Sequence, residues 1–181
     1  MLNKLSLTII VSSWLLAGCN SNTTFKTFSS REGGFSVEVP ILPTEKTSQM
    51  ESLYGNLIEH DYFSIYDGVS YTVGYIRLPD DLYSELKKNP GRFSNLDISG
   101  LVSHSKGRLL GERGVSAAGR HNHGKEVLIS LPDGKHNLVS RVFWSDKTLY
   151  LIHTIIPKQP SYNQDIYSTR FLDSLRIIGP E

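Results

Sequence analysis

Cysteine is almost absent from this sequence, because Cys19 is the single cysteine in 181 residues. A chain with one thiol forms no internal disulfide, so its domain must be held together by its own core. Long apolar runs are also missing. The nearest, Leu5 to Leu16, is broken by Ser12 and Ser13 and is shorter than the roughly 20 residues that a membrane-spanning helix needs. We therefore expect this run not to remain in a membrane.

Basic runs are missing as well. Lys4 is the one charged residue in 1–18, so without that segment the 19 Lys and Arg residues become 18, against 18 Asp and Glu. Nucleic-acid-binding proteins usually carry a basic patch or stripe, whereas Lys87 and Lys88 form only an isolated pair. The sequence therefore predicts no nucleic-acid partner.

Several catalytic and cofactor-binding motifs are absent. There is no G-x-S-x-G elbow of a hydrolase and no H-E-x-x-H of a metalloprotease. The glycine-rich stretch "GRLLGERG" lacks the Lys-Ser/Thr pair of a phosphate-binding P-loop. The sequence thus predicts neither an enzyme nor a cofactor.

The N-terminus has the three parts of a secretory signal peptide. Lys4 gives the positive start, Leu5 to Leu16 the apolar stretch, and Ala17 and Gly18 the small residues at a processing point. We assign residues 1–18 to this signal. Cleavage is expected between Gly18 and Cys19.

Leu16-Ala17-Gly18-Cys19 resembles the lipobox of bacterial lipoproteins. The resemblance implies cleavage before Cys19, lipidation of its thiol and acylation of the new amine, with fatty acids such as palmitate. Stable anchoring needs two or three acyl chains, because a single chain holds a protein only marginally. Asn20 in place of aspartate implies, for enterobacterial-type sorting, the periplasmic face of the outer membrane rather than the inner membrane.

The remaining chain is long enough for one domain. Residues 19–27 are expected to be the lipidated cysteine and a polar, flexible tether, and residues 28–181 a single α+β domain. Alternating apolar residues predict strands, and acidic starts, basic ends and helical spacing predict helices. The expected strands are Phe35–Val39, Thr44–Leu53, Leu57–Tyr66, Val69–Leu78, Val127–Leu131, Leu138–Trp144 and Leu149–Ile156. The expected helices begin near Asp80, Asn95 and Tyr162.

Two features of this pattern are more specific. Asp67 and Gly68 alone separate two alternating runs, which predicts a hairpin with a type I′ turn. The stretch from Arg108 to Gly124 is rich in glycine and predicts only an irregular strand and a turn. Together these elements predict an antiparallel sheet of about six or seven strands flanked by helices.

The two ends of the domain carry a further resemblance. "FSSREGGFSVEVPILP" near the start and "LYLIHTII" with "FLDSLRI" near the end are similar to a bacterial domain, mostly uncharacterised, with a PsbP-like fold, a sandwich of sheet and helices. The resemblance makes five positions core residues and carries over no catalytic residue. Its photosynthetic relatives are binding or assembly factors, and some cyanobacterial ones are lipoproteins. The five positions are Phe28, Phe35, Val37, Phe171 and Leu175.

His121 and His123 are the strongest metal-binding candidates. On an extended segment, residues two apart point to the same side, so the pair could share a metal ion with a carboxylate or His136. Zinc sites use three or four protein ligands, and glycines at 119 and 124 bracket the pair, which favours a solvated loop. His153, inside an apolar run, is expected to be a hydrogen-bonded strand residue.

Tyrosines form the second candidate group. Tyr62, Tyr66, Tyr71 and Tyr75 are crowded into the first half of the domain and could line a surface for a ligand or partner, since tyrosine combines large area with a polar tip. The alternative is that they are ordinary strand residues with high β-propensity.

The leading interpretation is a lipid-anchored envelope protein that faces the periplasm and binds an envelope protein or ligand without catalysis. The competing one is a small metal-binding protein or metal-dependent enzyme that uses His121 and His123.

Overall fold

The computed structural model describes residues 23–52, 55–88, 90–119 and 122–178. It has a mixed α+β fold dominated by its sheet. The ten strands found in these residues are β1 (Lys26–Ser30), β2 (Phe35–Val39), β3 (Thr44–Ser52), β4 (Gly55–Tyr66), β5 (Val69–Arg77), β6 (Arg108–Gly119), β7 (Asn122–Ser130), β8 (His136–Ser145), β9 (Thr148–Pro157) and β10 (Arg176–Ile177). The helices are α1 (Asp80–Lys88), α2 (Pro90–Ser105) and α3 (Tyr162–Asp173).

The strands form one sheet in the order β1-β2-β10-β6-β7-β8-β9-β5-β4-β3. All neighbours pair antiparallel except β10 and β6, which are parallel. The sheet curls until its first strand meets β4: the rings of Phe28 and Tyr62 lie 4.8 Å apart, and the hydroxyls of Ser30 and Tyr62 are hydrogen-bonded at 3.1 Å. The curl encloses the main core.

The predicted α+β class is confirmed, but the expected number of six or seven strands is wrong. The sequence pattern did not reveal β1, which has little apolar alternation, or β10, which has only two residues. The glycine-rich stretch from Arg108 to Gly124, predicted as an irregular strand and a turn, contains the whole of the twelve-residue strand β6, which has a register shift between Leu109 and Gly111. The parallel pairing of β10 also corrects the expectation of a purely antiparallel sheet.

The hairpin prediction at Asp67 and Gly68 is confirmed. Both residues have positive φ, 49° and 71°, as a type I′ turn requires. Tyr66 and Val69 pair directly across it. This turn fixes the register of β4 and β5 and therefore which side chains of each strand enter the core.

The inner face of the curl holds the largest apolar cluster. Alternate residues of β5 and β9 meet the buried residues of β2 there, and α3 closes the cluster with Phe171 and Leu172. Four of the five positions expected to be core residues, Phe35, Val37, Phe171 and Leu175, are at most 1% exposed. Phe28 is half-buried against them. This confirms the core that the resemblance predicted.

The outer face is covered in part by α1 and α2. Leu86 of α1 packs with Ile76 and Leu149, and Ile98 of α2 packs with Val127 and Ile129. The expected start of the second helix near Asn95 was too late, since α2 begins at Pro90. Proline is well accepted at the first helical position because its missing N–H has no partner there anyway.

Helix α3 is fixed at its start by side chains. The Ser161 hydroxyl accepts a hydrogen bond from the Gln164 backbone N–H, and the Gln164 side chain accepts one from the Ser161 N–H, forming a capping box. The side-chain nitrogen Nε2 of Gln164 also donates a hydrogen bond to the Asp67 carbonyl oxygen at 2.7 Å. The cap therefore ties α3 to the β4–β5 turn. In the described part of the chain, no helix is both long and apolar enough to cross a membrane.

Candidate functional site: the cleft beside α3

The residues predicted for lipidation, cleavage and metal binding fall mostly outside the structure. Gly18, Cys19 and His121 are not among the described residues. The backbone of His123 lies in β7 and pairs with Ser116, but its side chain is also outside the described part. No group of three or more His, Cys, Asp or Glu side chains within the described ranges could hold a metal ion. The His121 and His123 hypothesis thus stays a prediction.

The four tyrosines do not form an open surface. Tyr71 and Tyr75 are each 1% exposed and Tyr62 is 8% exposed, while Tyr66 packs against the same cluster. Burial raises the pKa of Tyr75 to about 12, and its hydroxyl finds no hydrogen-bond partner among the residues that the structure describes. These residues occupy the core, which agrees with the alternative that they are ordinary strand residues.

A cleft of about 410 Å³ lies between α3 and the inner face of β6 to β9. Val139 and Ile156 contribute apolar lining from the sheet. Thr169 and Leu172 line it from α3. Strand alternation places Val139 and Arg141 on the same inner face, since residues two apart on a strand share a face. We call this the α3 cleft.

Four charged side chains form a continuous network along the α3 cleft. Glu126 accepts from Arg113 Nε at 2.6 Å through one oxygen and from Arg141 Nε at 2.7 Å through the other. Arg141 Nη1 reaches the Asp173 carboxylate at 2.7 Å. The Arg141 and Glu126 side chains are only 10% and 13% exposed. The network thus joins β6, β7, β8 and α3 through a nearly buried guanidinium.

The electrostatics of this network favour binding over proton transfer. Burial raises the pKa of Glu126, but the hydrogen bonds from Arg113 and Arg141 outweigh burial, so its pKa is lowered. A carboxylate of lowered pKa is a weak general base, because efficient bases have a pKa near the working pH. The cleft therefore offers fixed, paired charges above an apolar floor, which suits the orientation of a polar ligand or peptide.

Two other polar positions lie on the outer face, away from the α3 cleft. His153 and Ser140 are paired across β9 and β8, yet His153 Nδ1 and Ser140 Oγ are both buried and have no hydrogen-bond partner in the described part of the chain. Burial lowers the pKa of His153 to about 4. The expectation that His153 is hydrogen-bonded is thus wrong for its Nδ1 atom. Because Ser140 Oγ makes no hydrogen bond to His153, the pair does not form an activated serine.

Sequence reasoning missed the charged network, although one signal was available. Arg141 interrupts the apolar stretch "LVSRVFW" at a position whose neighbours two residues away, Val139 and Phe143, face the core. A buried arginine requires a carboxylate partner. The partners Glu126 and Asp173 lie 15 and 32 residues away, so only the fold reveals them.

Comparison with known proteins supports the fold. No protein-family model matches this chain, and no curated protein does. Among solved structures it is similar to the solution structure of cyanobacterial PsbP (CyanoP) from Synechocystis sp. PCC 6803, with a TM-score of 0.51 and 12% sequence identity. The match covers 90% of this chain and 98% of that chain. The likeness confirms the PsbP-like fold.

Proposed function

We propose that this chain is a non-catalytic binding or assembly module, held by lipid on Cys19 at the periplasmic face of the outer membrane. The α3 cleft takes its ligand or partner. The observation that carries the proposal is the nearly buried Arg141, held between Glu126 and Asp173 at 2.7 Å from each. A paired, rigid guanidinium beside an open cleft orients polar groups without supplying a free acid or base.

Photo-crosslinking tests the α3 cleft. A photoreactive amino acid in place of Lys158, which lines the cleft, should give adducts of defined mass in intact cells. The same amino acid in place of Lys87, exposed on α1, is the matched control. A further substitution, Thr169→Trp, places a large side chain in the cleft. It should abolish the adducts without changing the midpoint temperature of thermal unfolding. Adducts that persist with Thr169→Trp, or that form equally at position 87, would contradict binding in the cleft.

The anchor is tested separately. Cys19→Ser removes the only thiol, so the chain should lose its acyl groups and leave the membrane fraction. A Cys19→Ser chain that is still processed and still partitions into detergent would refute the anchor. Asn20→Asp should shift the chain from the outer to the inner membrane in a density gradient, provided that enterobacterial-type sorting applies.

A further inference from the structure

Exposed apolar side chains are concentrated at one corner of the domain. Ten large hydrophobic side chains are exposed in the described part of the chain, and six of them belong to three segments that converge at the β4–β5 turn: the link from β2 to β3, the end of β4 and the start of α3. Scattered exposed apolar residues need no explanation, whereas a contiguous group marks an interaction site. The six are Ile41, Leu42, Phe63, Ile65, Tyr162 and Ile166.

The topology brings the three segments that carry these residues to the same corner of the domain. Ile41 and Leu42 lie in the link from the end of β2 to Thr44, which pairs with Phe63. Leu42 precedes Thr44 by two residues and Ile65 follows Phe63 by two, so both lie just beyond this pair along their segments. Tyr162 and Ile166 are one helical turn apart at the start of α3, which the Gln164 bond joins to the β4–β5 turn. We call this group the N-terminal corner.

The described chain begins at this same corner. The Thr23 hydroxyl is hydrogen-bonded at 2.6 Å to the hydroxyl of Tyr66, the residue after Ile65. Phe25 stacks edge-on against Tyr167 of α3, with ring centroids 5.6 Å apart. Three residues lie between Cys19 and Thr23, and the four Cα-to-Cα steps from Cys19 to Thr23 span at most about 14 Å. A lipid on Cys19 therefore keeps the N-terminal corner close to the bilayer surface.

We propose that the N-terminal corner is a membrane-docking surface whose apolar side chains enter the headgroup region of the bilayer. This inference rests on the proposed lipid anchor. Tyr162, 80% exposed, has the amphipathic ring that concentrates at membrane interfaces, and the aliphatic side chains gain by leaving water. The short tether raises the effective concentration of the surface at the bilayer. Weak insertion is then enough to orient the domain.

The orientation that results has a consequence for the α3 cleft. Docking through the start of α3 holds the helix end nearest Tyr162 at the membrane. Asp173, at the other end of α3, and its ion pair with Arg141 then lie farther from the lipid. The charged end of the cleft is thus presented away from the membrane, toward a periplasmic ligand or partner.

Depth measurement on the lipidated full chain tests the docking surface. Because acylation consumes the Cys19 thiol, an introduced cysteine is the only site for a nitroxide label. Ile65→Cys is compared with Ile178→Cys, since both isoleucines are 63% exposed. Ile178 lies at the opposite end of the β1–β2 hairpin, where its N–H donates to the Gly34 carbonyl oxygen. Ile41→Cys and Ile58→Cys form a second matched pair, 47% and 46% exposed.

In vesicles of phosphatidylethanolamine and phosphatidylglycerol, labels at 65 and 41 should show a several-fold higher ratio of oxygen to aqueous-reagent accessibility than labels at 178 and 58. Equal, water-like ratios in a chain that floats with the vesicles would overturn the docking surface and leave the anchor intact. If the chain with Cys19 intact carries no acyl groups and does not float with the vesicles, the anchor is overturned and this inference with it. Labels at 65 that are protected in native envelopes but aqueous in vesicles would assign the corner to a protein partner and also overturn it.

Discussion

Glycine at single positions decides how closely neighbouring strands pack. Gly124 of β7 lies opposite Phe143 of β8, and a Cβ at Gly124 would collide with the Phe143 ring and the Val142 carbonyl oxygen. Gly114 of β6 lies in the adjacent strand, and a Cβ there would have nothing within 4 Å. Replacing each of the two glycines with alanine therefore separates the effect of a side-chain collision from the effect of restricting the backbone.

Gly124→Ala should lower the free energy of unfolding by about 1–3 kcal/mol, since overpacking forces neighbouring groups to shift. Gly114→Ala should leave it unchanged or raise it slightly, because alanine restricts the unfolded chain. Urea denaturation of both variants measures the difference. Equal effects at the two positions would show that the Phe143 contact does not govern this site.

Asp61 carries a carboxyl group whose burial costs stability at neutral pH. Burial first, and the Glu59 charge second, raise its pKa from 3.8 to about 6. The folded state therefore holds this proton more tightly than the unfolded state, and the associated stability is lost as pH rises from about 4 to about 6. Above that range, the ionised carboxylate destabilises the fold.

Asp61→Asn should therefore stabilise the protein at pH 7 by about 1 kcal/mol, a value reduced from the full linkage energy because the carboxyl is partly exposed. At pH 4 the gain should nearly vanish. Thermal unfolding of both proteins at the two pH values provides the measurement. A gain that is the same at pH 4 and pH 7 would contradict the raised pKa.

At the scale of elements, the capping box of α3 is a local feature with a distant effect. Ser161→Ala removes the acceptor for the Gln164 N–H and should cost about 1 kcal/mol of unfolding free energy. Ser161→Asp keeps an acceptor at the N-cap and should remain near the wild-type value. Chemical denaturation compares the three proteins. An equal loss in both variants would show that the hydroxyl acts through some other contact.

Elements with strong local patterns were predictable, and elements set by distant contacts were not. Alternation and the Asp-Gly turn defined β4, β5 and β9, because one face of each meets the core. β10 has two residues and exists only because it fills the place between β2 and β6. β6 has exposed leucines and glycines along its length, so its period is weak. The α3 cleft could not be predicted from the sequence either, because its four charged side chains come from four separate elements.

At the scale of the molecule, the curl depends on the contact between the first strand and β4. Phe28 of β1 packs against Tyr62 and Phe35. Phe28→Ala should lower the free energy of unfolding by about 2 kcal/mol, less than the loss for a fully buried phenylalanine. It should also speed amide hydrogen exchange in β1 more than in β9. Phe63→Ala is the control, since Phe63 is 40% exposed on the outer face and should cost below about 1 kcal/mol. If Phe28→Ala speeds amide exchange equally in all strands, then β1 does not open separately from the rest of the sheet.

The two-residue strand β10 also sets an order of assembly. Within the described ranges, the β1–β2 hairpin is paired as a strand with the rest of the sheet through Arg176 and Ile177 of β10 alone. These residues are synthesised after all the other strands and helices that the structure describes. The hairpin precedes the other described elements in the chain but has no neighbouring strand until β10 has been synthesised, so the curl closes only after that point. A chain that stops before Arg176 should contain most of its strands and still leave its N-terminal hairpin without a paired neighbouring strand.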